Sequence, residues 1–330
     1  MSPISKLERA DELGSTPLSC LPEPHRGILI RAVSNVLSCD EAEVTFAQIV
    51  DGMPLSEVEE DSYDDTACPE HPIHTKHTQL CPGVLEKTRQ FRNDVDASEL
   101  AFSPMLFKWQ ETHGCHLDDG LSNWVAPKDH TVWWARFPVG RAPTLLRHSW
   151  YCRYDQYPNG VADGVGYWAE SRIFGGVILF DRRQPDLKPP IHPEPAVDPD
   201  AVYFHSCRYG VTYRIYKLLD AQKHELLQFL LSDESPPSSC PLPIVGSKEN
   251  TERVDPEDSA EENGIYRDKW ERPELEPDAS DYRTRDVRER LNYPTMQDWK
   301  ASSGRGADRR YFLRYGRSVY DSAPDEEFSE

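Results

Sequence analysis

Twenty-one of the chain's 34 aromatic residues lie between Phe102 and Leu231, among them six of the eight tryptophans: Trp109, Trp124, Trp133, Trp134, Trp150 and Trp168. Each such ring buries about 150–250 Å², so this stretch is where a hydrophobic core is expected. The 330 residues leave room for one or two domains. Hydrophobic content is only 38%, with 28 prolines and a mean hydropathy of −0.69. Part of the chain is therefore expected outside the core as linker or tail.

Charge is divided the same way. Residues 1–100 carry 19 acidic and 8 basic side chains, residues 101–231 carry 14 of each, and residues 232–330 carry 24 and 15. A nucleic-acid binder needs clustered Lys and Arg to displace phosphate counterions. The net charge of −20 argues against that class, and against an anionic membrane surface. The longest apolar run, Gly175–Phe180, has strand length rather than the ~20 residues of a membrane helix. The first nine residues lack the apolar region of a secretory signal. The expectation is a soluble intracellular protein, cytoplasmic with nuclear entry left open, its eight cysteines reduced.

Period and punctuation give the elements. Apolar spacing of three and four predicts helices over Glu23–Ser38 and Asp40–Val50. Between Asp51 and Glu70 there are eight acidic residues and no Lys or Arg, a pattern that predicts disorder. In the aromatic segment, strands are expected at Val132–Phe137, Thr144–Tyr154, Tyr167–Asp181 (with Gly175-Gly176 as a bulge), Ala201–Ser206 and Val211–Tyr216. A helix is expected at Leu218–Leu231. Six prolines make Gln184–Asp200 an extended excursion. A polar helix is possible in composition at Asp281–Leu291.

The expected fold class is α+β, a small mainly antiparallel sheet packed with a C-terminal helix and flanked by acidic disordered segments. The expected divisions are a disordered lead-in at 1–24, a helical arm at 25–50 and an acidic linker at 51–97. An aromatic-rich core at 98–232, a Ser/Pro/Glu linker at 233–263 and a charged segment at 264–330, partly docked or disordered, complete them.

Three constellations carry chemistry. His148 with Cys152, and His205 with Cys207, have same-face strand spacing and could converge on zinc. They could equally be buried thiols beside histidines bonded to backbone. Cys115 between His113 and His116 has the residue types of a nucleophile with an activating imidazole, although catalytic partners more often meet through the fold. Arg136, Arg147 and Arg153 interleave with aromatics such as Trp150 and could hold an anionic or planar ligand. The alternative is an outward face that covers rings and pairs with local acids. Gly164-Val165-Gly166-Tyr167-Trp168-Ala169 matches a dinucleotide fingerprint only in form, because no strand precedes it and Trp168 crowds the turn.

At His148–Tyr154, Gly166–Glu170 and Phe174–Asp181, the chain resembles proteins of unknown activity from filamentous fungi, over about Phe102–Leu231. The resemblance implies a eukaryotic cell and brings no activity and no site residue. With no complete catalytic motif, the leading expectation is an intracellular binding or interaction protein that takes a protein partner or a small molecule. One alternative is an accessory enzyme of fungal metabolism using the Cys/His centre with an Arg-bound anionic substrate. A domain with a structural Cys/His metal site is the other.

Overall fold

The computed structural model describes residues 21–62, 70–94, 124–137, 142–183, 197–234, 239–256, 260–268, 271–272 and 291–298. Their architecture is α+β. Five strands, β1 (Val177–Asp181), β2 (Val202–His205), β3 (Ile215–Lys217), β4 (Arg253–Val254) and β5 (Ile265–Tyr266), form one sheet in the order β4-β3-β2-β1-β5. Every pairing is antiparallel. Nine helices accompany them among the described residues: α1 (Glu23–Leu37), α2 (Asp40–Asp51), α3 (Ser56–Glu60), α4 (Ile73–Lys76), α5 (Val84–Asp94), α6 (Thr131–Arg136), α7 (Val161–Phe174), α8 (Asp220–Leu230) and α9 (Ala260–Asn263). None is long and apolar enough to cross a membrane.

The register sets which side chains share a face. Val177 lies opposite His205, Leu179 opposite Tyr203, and Tyr203 opposite Lys217. Alternation along a strand therefore gathers Val177, Leu179, Tyr203, Ile215 and Ile265 on one side, where Tyr151 packs. Phe204 and Tyr216 point to the other side, into a cluster with Ala42, Phe46 and Ile49 of α2, Trp168 and Ile173 of α7, and Leu226 and Phe229 of α8.

The acidic stretch is not a linker over its described part. Asp51, Met53, Leu55, Val58 and Glu59 are buried, and α2 ends on Gly52 at φ 99°. The repulsion expected from sequence is cancelled in space. Glu59 lies 3.7 Å from Arg147, and Asp61 accepts from Arg172 at 2.9 Å. Residues 70–94, also expected in the linker, contain α4 and α5, with Ile73, His77 and Val84 buried. Nor is the core confined to 98–232. Leu242 and Ile244 from the expected second linker join it, and Ile244 N–H donates to Phe174 O at 2.8 Å. From the last segment, β5 extends the sheet, and Asn292 Oδ1 accepts from Tyr213 N–H at 3.0 Å. The expected lead-in over 1–20 and the polar helix over 281–290 lie outside the described residues, as does 184–196 of the proline-rich excursion.

Three expected strands take other forms. Residues 131–136 form α6, whose first turn is closed by His130 Nδ1 accepting from Trp133 N–H at 3.1 Å. Within 144–154 the chain runs through turns. Residues 167–174 belong to α7, and only Val177–Asp181 is strand. Gly175 ends α7 at φ 101°, and a Cβ there would sit 2.2 Å from Ile244 O. Gly176 then brings the chain so close to β2 that a Cβ would meet Phe204 Cβ at 2.8 Å. The glycine pair is a helix stop and a close approach, not a bulge.

Candidate functional site

Helix α1 has an apolar stripe without enough to bury it. Leu29, Ala32, Val33, Val36 and Leu37 remain only partly buried, because α1 and α7 stand apart over a cavity of about 540 Å³. Those five residues form one wall, and Ala169, Ile173 and Phe174 of α7 form the opposite one. Phe46, Ile178 and Leu230 extend the apolar lining. The size is that of a small-molecule site.

The charged lining is Asp163, Glu170, Arg267, Asp268 and Glu271, with Gln156, Tyr157 and Tyr167 beside them. Helical period brings Asp163, Tyr167 and Glu170 to one face of α7. Glu170 is held by Ile178 N–H, which donates to Oε1 at 2.9 Å. It pairs with Arg267, whose Nη1 lies 2.8 and 2.9 Å from the two carboxylate oxygens. The Arg267 guanidinium also sits 5.1 Å over the Tyr167 ring. Burial works against its charge, but Glu170 and Tyr167 outweigh burial and hold its pKa above the usual value. Tyr167 stacks on Tyr151 with ring centroids 4.6 Å apart, and Tyr157 donates to Glu271 O at 2.7 Å.

Glu271 is the perturbed group. Burial pushes its carboxyl up to about 7, although Arg272 and the N–H groups of Asp268 and Arg267 pull the other way. The polar lining thus presents four carboxyl groups to one guanidinium already committed to Glu170.

The metal set expected from sequence is not assembled. His148 and His205 do come together, with ring centroids 5.0 Å apart, but hydrogen bonds use both rings. His205 O and Tyr213 O can only accept, so Nε2–H of His148 (3.1 Å) and Nε2–H of His205 (3.2 Å) donate to them. The remaining nitrogens then accept, from Trp150 N–H at 3.2 Å and Tyr151 O–H at 3.1 Å. The lone pairs a metal would need are thereby used. Burial, first of all, lowers the His205 pKa well below the ordinary value, in keeping with a neutral ring. Cys152 donates to Ser149 O at 3.3 Å, and Cys207 lies 3.4 Å from Ser171 Oγ.

The expected arginine face is dispersed as well. Arg147 is buried beside Glu59, 5.8 Å from the Trp133 and Phe137 ring centroids. Trp150 packs against the Tyr151 cluster, with its ring 5.9 Å from His205. Arg153 is half-buried, and neither it nor Arg147 lines the cavity. The Arg136 side chain, and His113, Cys115 and His116, lie outside the described residues. Among the described residues, two other groups could hold a metal ion: Cys39–Glu41–Cys240 and Asp51–His77–Cys81.

Sequence reasoning missed the cavity because its two halves are distant in the chain. On a strand Glu170 and Arg172 would be same-face neighbours, whereas on the helix Arg172 turns to Asp61 and Glu170 meets Arg267, 97 residues away. The available signal was the spacing of Asp163, Gly166, Tyr167, Glu170, Ile173 and Phe174, which follows a 3.6-residue period.

Comparison of the chain with protein-family models, with curated proteins and with solved structures finds no match in any of the three.

Proposed function

We propose that this protein binds a small amphipathic ligand with an apolar chain and a cationic amine head, held between α1 and α7. The observation that carries the reading is the apolar cavity of about 540 Å³ whose polar lining holds four carboxyl groups and one paired guanidinium. An alkyl chain entering it leaves water at about 0.8 kcal/mol per methylene. The half-exposed stripe of α1 gains cover at the same time. An ammonium head can bond the carboxyl groups of Asp163, which also accepts from Asn159, and of Asp268, in a site where partial burial strengthens each charge-assisted hydrogen bond; Glu271 is fully buried and already bonded to the N–H groups of Arg267 and Asp268. The acidic balance of the whole chain supports the same sign of ligand. Binding alone needs no nucleophile, and among the described residues no Ser, Thr, Cys, His or Lys lines the cavity.

Calorimetric titration with octylamine and octanoate, a pair of equal chain length and opposite charge, tests this. The amine should bind at least about tenfold tighter than the acid, a difference of about 1.4 kcal/mol. Val33→Trp, which fills the cavity from its α1 wall, should abolish binding of the amine. Equal affinities, or a preference for the carboxylate, would overturn the reading.

A further inference from the structure

Asp51, His77 and Cys81 come from three places in the chain: the last residue of α2, the residue after α4, and the turn before α5. Asp51 and His77 are fully buried and Cys81 is partly buried. One ligand atom from each lies within 4.8 Å of the others. Segments so far apart bring a carboxylate, an imidazole and a thiol to one point only because the backbone around them is braced. Ser56 N–H donates to His77 O at 2.8 Å, Leu55 N–H to Gln48 Oε1 at 2.8 Å, and Cys81 N–H to Asp51 Oδ2 at 2.9 Å.

The imidazole shows what the cluster is shaped for. Nδ1 stands 2.7 Å from Pro54 O, which can only accept, so Nδ1 carries a hydrogen. Nε2 of that tautomer presents a lone pair, and it faces Asp51 Oδ2 at 3.1 Å. Two lone pairs at that distance repel unless something positive lies between or beside them, either a proton or a metal ion. Metal-bound histidines usually give their second ring N–H to a backbone carbonyl or carboxylate, which fixes the ring. His77 has that arrangement. Ligands about 2.0–2.2 Å from a tetrahedral zinc stand roughly 3.3 Å apart, and a sulfur at about 2.3 Å stands slightly farther. The 3.1 Å between His77 and Asp51, with the sulfur inside 4.8 Å, fits that geometry with small adjustment.

We infer that Asp51, His77 and Cys81 form a three-ligand site for a zinc-type divalent cation, with the fourth position open on the side of Cys81. Borderline metals favour this mixed O/N/S donor set over the hard cations, which take oxygen alone. The ion ties the C-terminus of α2 to α4 and to the start of α5, and so fixes the helix that contributes Phe46 to the cavity wall. The second group is the weaker candidate, since Cys240 is exposed and burial, above all, raises the Cys39 thiol to about 12.

Cobalt(II) is the probe. Added to purified full-length protein under reducing conditions, it should bind at one per chain. A thiolate-to-cobalt charge-transfer band should appear and be discharged by zinc. Cys81→Ser, the mildest change at the least buried ligand, should remove the band and weaken binding more than about 100-fold, a larger loss than removing a ligand's hydrogen-bond partner gives. Far-ultraviolet circular dichroism checks that the variant folds. Zinc should raise the wild-type Tm and leave that of Cys81→Ser unchanged. A wild type that gives no band, or a band that survives Cys81→Ser, overturns the site. In the first case a proton holds His77 and Asp51 together, and in the second the ion sits on other thiols.

Discussion

At the scale of single residues, burial decides most of the chemistry. Glu271 has Arg272 at 4.0 Å and backbone donors at 3.1 and 3.3 Å, yet desolvation still lifts its carboxyl to about 7 from 4.5. Folding therefore favours the protonated form. Stability tied to this group is present below about pH 4.5 and is lost as pH rises toward 7. Glu271→Gln, a neutral near-isostere, escapes that loss. Its unfolding free energy should gain on the wild type by roughly 2–3 kcal/mol between pH 5 and pH 8, as urea denaturation at the two values would show. A difference that stays constant with pH means the carboxyl is not desolvated. The neutral, fully bonded rings of His148 and His205 follow the same rule. Histidines recognised in sequence by metal-like spacing became internal struts once each lone pair met a donor.

Elements were legible where one side of the pattern met water. Helices α1 and α8 showed clear periodicity because each keeps an exposed face, the pattern of α2 was weaker because residues 45–51 are all buried, and β2 fell within its expected span. Helix α7 did not, because none of its residues is exposed: Ala162, Gly164, Val165, Trp168, Ala169, Ser171 and Ile173 are buried and the rest half-buried. A helix buried on most sides loses its amphipathic signature, and a run such as Tyr167–Phe174 then reads equally well as strand. Only a glycine marked the true boundary. Gly175→Ala must place a Cβ against Ile244 O at a backbone angle that disfavours any side chain. It should cost more than about 2 kcal/mol. Gly210→Ala, also at positive φ but with nothing within 4 Å, should cost about 1 kcal/mol less or better. Equal losses in Tm for the two variants would mean that Gly175 acts only through its backbone angle.

For the molecule as a whole, charge read along the chain misled where charge read through space did not. Asp51–Asp61 looks self-repelling in sequence, but Arg147, Arg172 and Arg208, more than 80 residues later, meet Glu59 and Asp61. The same long separations hid the cavity, since α1, α7 and Arg267 lie in three different expected divisions of the chain. Composition pointed to an aromatic core in the middle, and the described flanks add Ala42, Phe46, Ile49, Leu242 and Ile244 to the buried cluster. The central claim is that the gap between α1 and α7 accepts an alkyl chain with its amine turned toward the carboxyl groups. Intermolecular nuclear Overhauser effects in the octylamine-bound protein read this orientation directly. The chain's terminal methyl should show contacts to Val33, Val36 and Ile173 methyls, and the methylene beside nitrogen to the Tyr167 ring. Contacts confined to residues outside the cavity, or the reversed orientation, would contradict the account.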